Sequence, residues 1–230
     1  MDPLSDQADV KSISAEIDAE IRSLPKYNTP AERALLRKYS VMFKEKSPGF
    51  ILKLARELVR NYHYRSLPYE LIERHKAAYR SLRAEKLVEL GQGINSWWSV
   101  DSFARTLAGP AWRDGQVFDE LIHSWARSPD RWWRRAALVS TVALNVRSRG
   151  GYGDVPRTLA VCRQLAHDHD DMVIKALSWA LRELVPHDPR AVQDFLNEYN
   201  HTLPPRVKRE VRNKLTTGLK NPRPHGGIGG

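Results

Sequence analysis

The chain has 230 residues, a formal net charge of +10 and 41% hydrophobic residues, which is enough for a folded core. Its longest apolar runs, such as AALVSTVAL at 136–144, are far shorter than the roughly 20 residues that a membrane span needs, and the N-terminus lacks the layout of a secretory signal. A single cysteine, Cys162, excludes an internal disulfide and a cysteine-rich zinc site. We therefore expect a cytoplasmic protein with no membrane partner.

Helices are predicted along the whole chain. Apolar residues recur at three- and four-residue spacing, and no alternating run indicates a strand. Turn and cap signals punctuate the pattern, for example Pro30 in a first helical turn and the proline of SPGF at 47–50. The predicted helices lie near 13–24, 30–46, 49–61, 68–80, 82–91, 95–108, 115–127, 130–147, 154–167, 171–184, 188–199 and 204–217.

Twelve helices with short loops make about six pairs, one every 35 to 45 residues. A pair of this size cannot bury its apolar face alone, so the spacing favours an all-α solenoid of HEAT-like pairs, curved and with a basic concave face. Because no sequence self-similarity proves the period, a globular helical bundle stays open. We expect one domain over 13–217, a mobile acidic segment at 1–12 and a disordered Gly/Pro-rich tail at 218–230.

The charge is unevenly distributed. Residues 1–20 sum to −5 and the rest of the chain to +15, with basic residues concentrated at 127–149 and 203–223. Two such segments favour binding of a nucleic acid over a merely solubilising surface. The candidate phosphate contacts are Arg131, Arg135, Lys175, Arg182, Arg206, Lys208, Arg209 and Arg212.

Tryptophan accompanies charge in three segments. In SWWSVDS, Trp97 and Asp101 are four residues apart and share a helical face, while Trp98 points about 100° away. In WWRRAAL an arginine follows a tryptophan by one turn, and in VIKALSWALREL two cations flank Trp179 on one stripe. Each segment also has an ordinary structural interpretation, because tryptophan is often part of a core and a carboxylate is often a cap or an ion-pair partner.

HDHDD at 167–171 has the composition of a metal site. Adjacent residues in a loop project in different directions, however, and Asp170 or Asp171 can cap the following helix. We favour the cap and predict neither a metal nor another cofactor.

Taken together and in order, SWWSVDS, WWRRAAL and VIKALSWALREL resemble the DNA alkylation repair family, the HEAT-like-repeat alkylpurine DNA glycosylases of the AlkD type. The resemblance is strongest over 94–216. It implies that Asp101 is the catalytic carboxylate, Trp97 and Trp179 are the active-site tryptophans, and Arg135 contacts DNA.

Two positions depart from that pattern. Trp98 stands where relatives often have an acid, which makes it a candidate DNA contact, and an aliphatic near Ile17 replaces an N-terminal aromatic. The first departure changes the contact beside the lesion, and the second concerns the grip on the substrate.

The resemblance implies a monofunctional glycosylase that hydrolyses the N-glycosidic bond of cationic N7- or N3-alkylated purines in duplex DNA and leaves an abasic site. We expect a monomer, without an obligate protein partner, at the nucleoid of a bacterial-type cell. The alternatives are a noncatalytic HEAT-like protein that binds branched or distorted DNA and, disfavoured by the basic charge, a protein-binding scaffold.

Overall fold

The computed structural model describes residues 3–222, and it contains helices and no strand in that range. The all-α prediction is thus confirmed. Within the described residues the chain forms two compact units, the first ending at Phe118 and the second beginning at Asp119. The sequence pattern predicted one domain over 13–217.

Eight α-helices lie in the described part of the first unit: α1 (Pro3–Ser23), α2 (Thr29–Met42), α3 (Pro48–Arg60), α4 (Ser66–Arg74), α5 (Lys76–Arg80), α6 (Ala84–Gly91), α7 (Trp97–Phe103) and α8 (Gly109–Arg113). A π-helical segment, Ala104–Ala108, joins α7 to α8. Helix α3 packs on both α1 and α4, and α4 packs on α2 and α7.

Six α-helices lie in the described part of the second unit: α9 (Asp119–Ala126), α10 (Arg131–Asn145), α11 (Val155–Gln164), α12 (Asp171–Leu184), α13 (Pro189–Glu198) and α14 (Pro205–Thr217). They form three successive pairs in which each first helix packs on its second helix, and the second helices also pack on one another, α10 on α12 and α12 on α14. This order is that of stacked helical repeats, consistent with the predicted α-solenoid. The concave basic face stays a prediction.

The first helix starts earlier than the sequence pattern predicts. Helix α1 begins at Pro3, so residues 3–12, predicted to be mobile, are helical. Val10 and Ile17 are both fully buried and lie seven residues apart, on one face that packs toward α3. The apolar face of α1 thus extends back to Val10, and the mobility of the segment 1–12 stays a prediction. Ile17 is a fully buried core residue.

The end of the described chain also differs from its prediction. Gly218 ends α14 in the left-handed conformation, with φ of 74°, and turns the chain back. Asn213 Nδ2 then donates to the carbonyl oxygen of Lys220 at 2.9 Å. Residues 218–222 are therefore folded back onto α14, and the rest of the predicted disordered tail lies outside the described residues.

One predicted helix is two. The pattern at 68–80 predicts a continuous helix, but α4 ends at Arg74 and α5 begins at Lys76. His75 lies between them with a ψ of 89°, and its Nδ1 accepts a hydrogen bond from the backbone N–H of Ala78 at 3.1 Å. A side chain that caps a new helix in this way competes with continuation of the old one.

Candidate functional site

Helix α7 carries the predicted catalytic carboxylate. Its N-terminus is a capping box in which Ser96 Oγ accepts from the backbone N–H of Ser99 at 3.2 Å, and Ser99 Oγ accepts from the backbone N–H of Ser96 at 3.1 Å. Trp97 occupies the first helical position and remains 57% exposed, although it is one of the largest apolar side chains. Asp101 is half-buried one turn later. The cap thus fixes a turn that holds an indole and a carboxylate on one face.

Trp98 is also exposed, at 46%. An indole buries readily, so two adjacent exposed tryptophans at one helix start are a feature that core packing does not explain. They provide apolar, electron-rich surface beside Asp101.

The end of α7 is held by an irregular turn. Gly109 donates its backbone N–H to the carbonyl of Ala104, five residues earlier, and Pro110 follows without an N–H to donate. Phe103, the last residue of α7, is fully buried and contacts the ring of Tyr69, with centroids 5.7 Å apart. The π-helical turn therefore absorbs the effect of the proline while α7 stays anchored in the core.

A buried arginine that sequence reasoning missed braces the loop in front of α7. Arg65 is 8% exposed, and its guanidinium donates to the carbonyls of Gln92 and Gly93, each at 3.0 Å, and to the hydroxyl of Tyr69 at 3.2 Å. Tyr69 in turn donates to the carbonyl of Leu90 at 2.9 Å. These bonds set the path of the chain from α6 into α7.

The second unit contains an open cavity of about 490 Å³ between α10, α12, α14 and the segment after α14. It brings together six of the predicted residues: Arg135, Lys175, Trp179, Arg182, Arg206 and Arg209. Lys220, Asn221 and Glu210 complete its lining. Six cations against one carboxylate make this cavity a strongly positive surface, the electrostatic requirement for a polyanion.

Trp179 and Arg135 are held within this lining. Trp179 is half-buried, and its indole Nε1 donates to Oε1 of Glu183 at 2.9 Å. Arg135 is only 5% exposed, and its Nη1 donates to the carbonyl of Met172 at 2.6 Å. The arginine that the resemblance assigns to DNA is thus a fixed part of the cavity floor rather than a mobile surface side chain.

A buried carboxylate lies among the cations. Glu210 is 5% exposed, and it lies 4.0 Å from Nε of Arg182, 3.9 Å from Nε of Arg206 and 3.6 Å from Nζ of Lys220. Burial lowers the pKa of Arg182, and the charge of Glu210 opposes that shift. Three cations from two helices and a turn therefore converge on one acid.

An exposed carboxylate pairs with two of the same cations. Asp171 Oδ2 lies 2.6 Å from Nζ of Lys175, and Oδ1 lies 3.0 Å from Nη1 of Arg206. The hydrogen bond from Lys175 lowers the pKa of Asp171, so this carboxylate stays charged at neutral pH.

Three predicted phosphate contacts are not part of the cavity. Lys208 and Arg212 lie one turn apart on α14 and donate to Asn200, at 2.9 Å to its carbonyl and 3.2 Å to Oδ1. Arg131 lies 3.3 Å from Oδ2 of Asp170 and covers the ring of Trp132 at 4.8 Å. The helical period could have distinguished Lys208 and Arg212 from the cavity residues of α14, because positions 208 and 212 face away from positions 206, 209 and 210.

The acidic run HDHDD forms caps and ion pairs. Asp170 is the N-cap of α12, its Oδ1 accepting from the backbone N–H of Met172 at 2.8 Å, and Asp168 pairs with Arg134 at 2.6 Å. The predicted cap is confirmed. Among residues 3–222, no group of three or more His, Cys, Asp or Glu side chains is arranged to hold a metal ion.

Within the described range, no helix is long and apolar enough to cross a membrane. A comparison with curated proteins returned no match. The sequence model of the family described as "DNA alkylation repair enzyme" matches residues 10–215, which include α7, the helices α9 to α13 and α14 as far as Leu215. The chain therefore belongs to the DNA alkylation repair enzyme family.

Proposed function

We propose that this chain is a monofunctional DNA glycosylase of the AlkD type, which hydrolyses the N-glycosidic bond of cationic N7- or N3-alkylated purines in duplex DNA. The observation that carries the proposal is the placement of Asp101 one helical turn after the exposed Trp97 in a member of a DNA alkylation repair family. DNA repair by an enzyme is the family's role, and the reaction and its substrate are our inference.

The leaving group needs no acid in this reaction. A purine alkylated at N7 or N3 carries a positive charge, so the electron pair of the breaking C1′–N bond neutralises the departing base. Water supplies the oxygen that bonds to C1′, and its proton passes to a carboxylate or to solvent. The products are the free alkylated base and an abasic site in an intact strand.

The protein must stabilise the transition state at the sugar. This transition state has oxocarbenium character, so a fixed carboxylate both stabilises the developing cation and orients the attacking water. Asp101 fits both roles. It is half-buried, which strengthens its interaction with a nearby cation relative to bulk water, and it lies on a helix whose start and end are both anchored.

The tryptophans fit the same transition state. An indole face is electron-rich and attracts a cation, which gives Trp97 a role beside the deoxyribose. Trp98 adds a second exposed ring on the turn of Trp97. A duplex lesion that stays stacked requires contact surfaces of this kind rather than an enclosing pocket.

The cavity of the second unit supports duplex binding. Arg182, Arg206, Arg209 and Lys220 present charge from three structural elements, and phosphate contacts of this kind supply most of the affinity of a protein for DNA. Arg135 and Trp179 give the same surface a rigid floor. We propose that this cavity engages the phosphodiester backbone.

Release of 7-methylguanine from a methylated duplex tests the proposal. The wild type, Asp101→Asn and Glu85→Gln are followed over time, and removal of one preorganised electrostatic partner predicts a loss of about 10² to 10³ in rate for Asp101→Asn. Glu85 is an exposed carboxylate on α6, so its variant controls for the change in charge. The strand should break only after alkali treatment.

The alternative makes a different prediction. If the wild type releases no base from methylated DNA but binds branched duplexes more tightly than linear ones, the chain is a noncatalytic DNA-structure binder. Release at equal rates by the wild type and Asp101→Asn would remove Asp101 from the mechanism.

A further inference from the structure

A second cavity, of about 400 Å³, lies in the first unit, between α2, α3, α4 and α5. It is distinct from α7 and from every residue discussed as a DNA contact. The side chains around it are Ser40, Phe43, Lys44, Ile51, Leu71, Arg74, His75, Lys76 and Ala77. Its size falls within the range of about 300 to 1,000 Å³ typical of small-molecule sites.

The deep part of this cavity is apolar. Phe43, Ile51 and Leu71 each contribute to its lining while being at most 3% exposed. Water forms few hydrogen bonds to such a surface. Its replacement by an apolar group of matching size is therefore favourable in free energy.

The polar groups of the lining are positive or neutral. Neither the guanidinium of Arg74 nor the ammonium of Lys76 forms a hydrogen bond or ion pair with another described residue, and both side chains are exposed. Lys44 is also exposed, with Nζ 3.7 Å from Glu45. None of the described lining residues is acidic.

The hydroxyl of Ser40 adds a polar group within the cavity. Its Oγ is buried and has no hydrogen-bond partner among the described residues. A buried hydroxyl without a partner is destabilising, and an acceptor that reaches it from the cavity would relieve that cost. The lining therefore combines an apolar floor, a hydroxyl in need of an acceptor and a rim of cations.

We propose that this cavity binds a small organic anion with a compact apolar group, such as an aromatic or aliphatic carboxylate, sulfonate or phosphate monoester. The apolar group occupies the space above Phe43, Ile51 and Leu71, and the anionic group meets Arg74 and Lys76. The backbone of duplex DNA has no compact apolar group to fill this floor, so the site is separate from the proposed glycosylase function and does not depend on it.

The probe is 1-anilinonaphthalene-8-sulfonate, and its neutral analogue N-phenyl-1-naphthylamine has the same rings without the sulfonate. Fluorescence titration of the whole chain should give saturable binding of the sulfonate to one site. The neutral analogue should bind more weakly, because it leaves both cations without an anion.

A matched pair of double variants locates the site. Arg74→Gln/Lys76→Gln removes the two rim cations, and Arg33→Gln/Arg37→Gln removes two exposed cations of α2 that do not line the cavity. We expect the rim variant to bind the sulfonate about tenfold more weakly, because it loses two exposed charge contacts. The α2 variant should bind the sulfonate as the wild type does. Circular dichroism and thermal unfolding establish that all forms are folded.

Equal weakening by the two double variants would overturn the proposal, because the anion would then respond to net charge alone. Absence of saturable binding to the folded wild type would overturn it as well. Loss of 7-methylguanine release has no bearing on either result, so failure of the glycosylase proposal and failure of this one are separable.

Discussion

Ser178 Oγ donates a hydrogen bond to Oε2 of Glu210 at 2.6 Å, and this bond joins α12 to α14 beneath the positive cavity of the second unit. Ser178 is fully buried and Glu210 nearly so. A buried carboxylate is stable only when it is paired and hydrogen-bonded, and here Arg182, Arg206 and Lys220 provide the opposite charge. The acid therefore gathers cations that would otherwise repel one another.

Replacement of Glu210 by Gln separates two effects. Loss of the negative charge should tighten DNA binding, because it removes repulsion of the phosphates. Loss of the common partner of three cations should weaken DNA binding, because those cations would no longer be held in place. We expect weaker binding in a filter or anisotropy titration, together with a fall of about 1–3 kcal/mol in the free energy of unfolding.

Asp171→Asn is the matched control, because Asp171 also pairs with Arg206 but its side chain is 60% exposed. It should change the free energy of unfolding by no more than about 1 kcal/mol and should tighten DNA binding slightly. If Glu210→Gln also tightens binding, Glu210 is merely an opposing charge.

Two neighbouring residues of α14 should differ in their effect on DNA binding. Arg209 lines the cavity and forms no ion pair or hydrogen bond with another described residue through its side chain, whereas Lys208 donates to Asn200. We expect Arg209→Gln to reduce the slope of log K against log salt by about 0.9, the value for one phosphate contact. Lys208→Gln should leave the slope nearly unchanged, and equal slopes for the two variants would exclude the cavity as the phosphate site.

Removal of the Arg65 brace should lower stability and base release together. Arg65→Met removes the donor to the carbonyls of Gln92 and Gly93, at about 0.5–1.5 kcal/mol for each hydrogen bond. Because these carbonyls precede α7, we expect the single-turnover rate of base release to fall while the duplex dissociation constant changes little. Arg37→Met, an exposed control on α2, should change neither quantity. A normal release rate in folded Arg65→Met would show that the brace does not position α7.

Cys162 should be chemically silent in the native protein. It is fully buried, and burial raises the pKa of its thiol, so the reactive thiolate is scarce at neutral pH. Ellman's reagent should label it only as urea unfolds the second unit, whereas Thr216→Cys, an exposed position on α14, should provide a rapidly labelled reference. Fast labelling of Cys162 at zero urea would indicate local opening of α11.

The local sequence determined the helices and the residues that cap them. Pro30 lies in the first turn of α2 behind an Asn28 cap, and Asp170 caps α12, because these bonds join residues at most three positions apart. The same local geometry places Trp97 and Asp101 on one face of α7 and Lys175, Trp179 and Arg182 on one face of α12. The sequence thus predicted most of the helices and which candidate residues share a helical face, and the catalytic and DNA-binding roles of those residues stay predictions.

Tertiary packing decided which of those residues act together. Arg135 is a buried floor residue, and Lys208 and Arg212 bond to Asn200 instead of facing the cavity. Arg65 and Glu210 gain their roles from partners 27 and 32 residues away. Burial and pairing between residues so far apart in the sequence depend on how separate helices pack. The hydrogen-bonding pattern of neighbouring residues does not determine that packing.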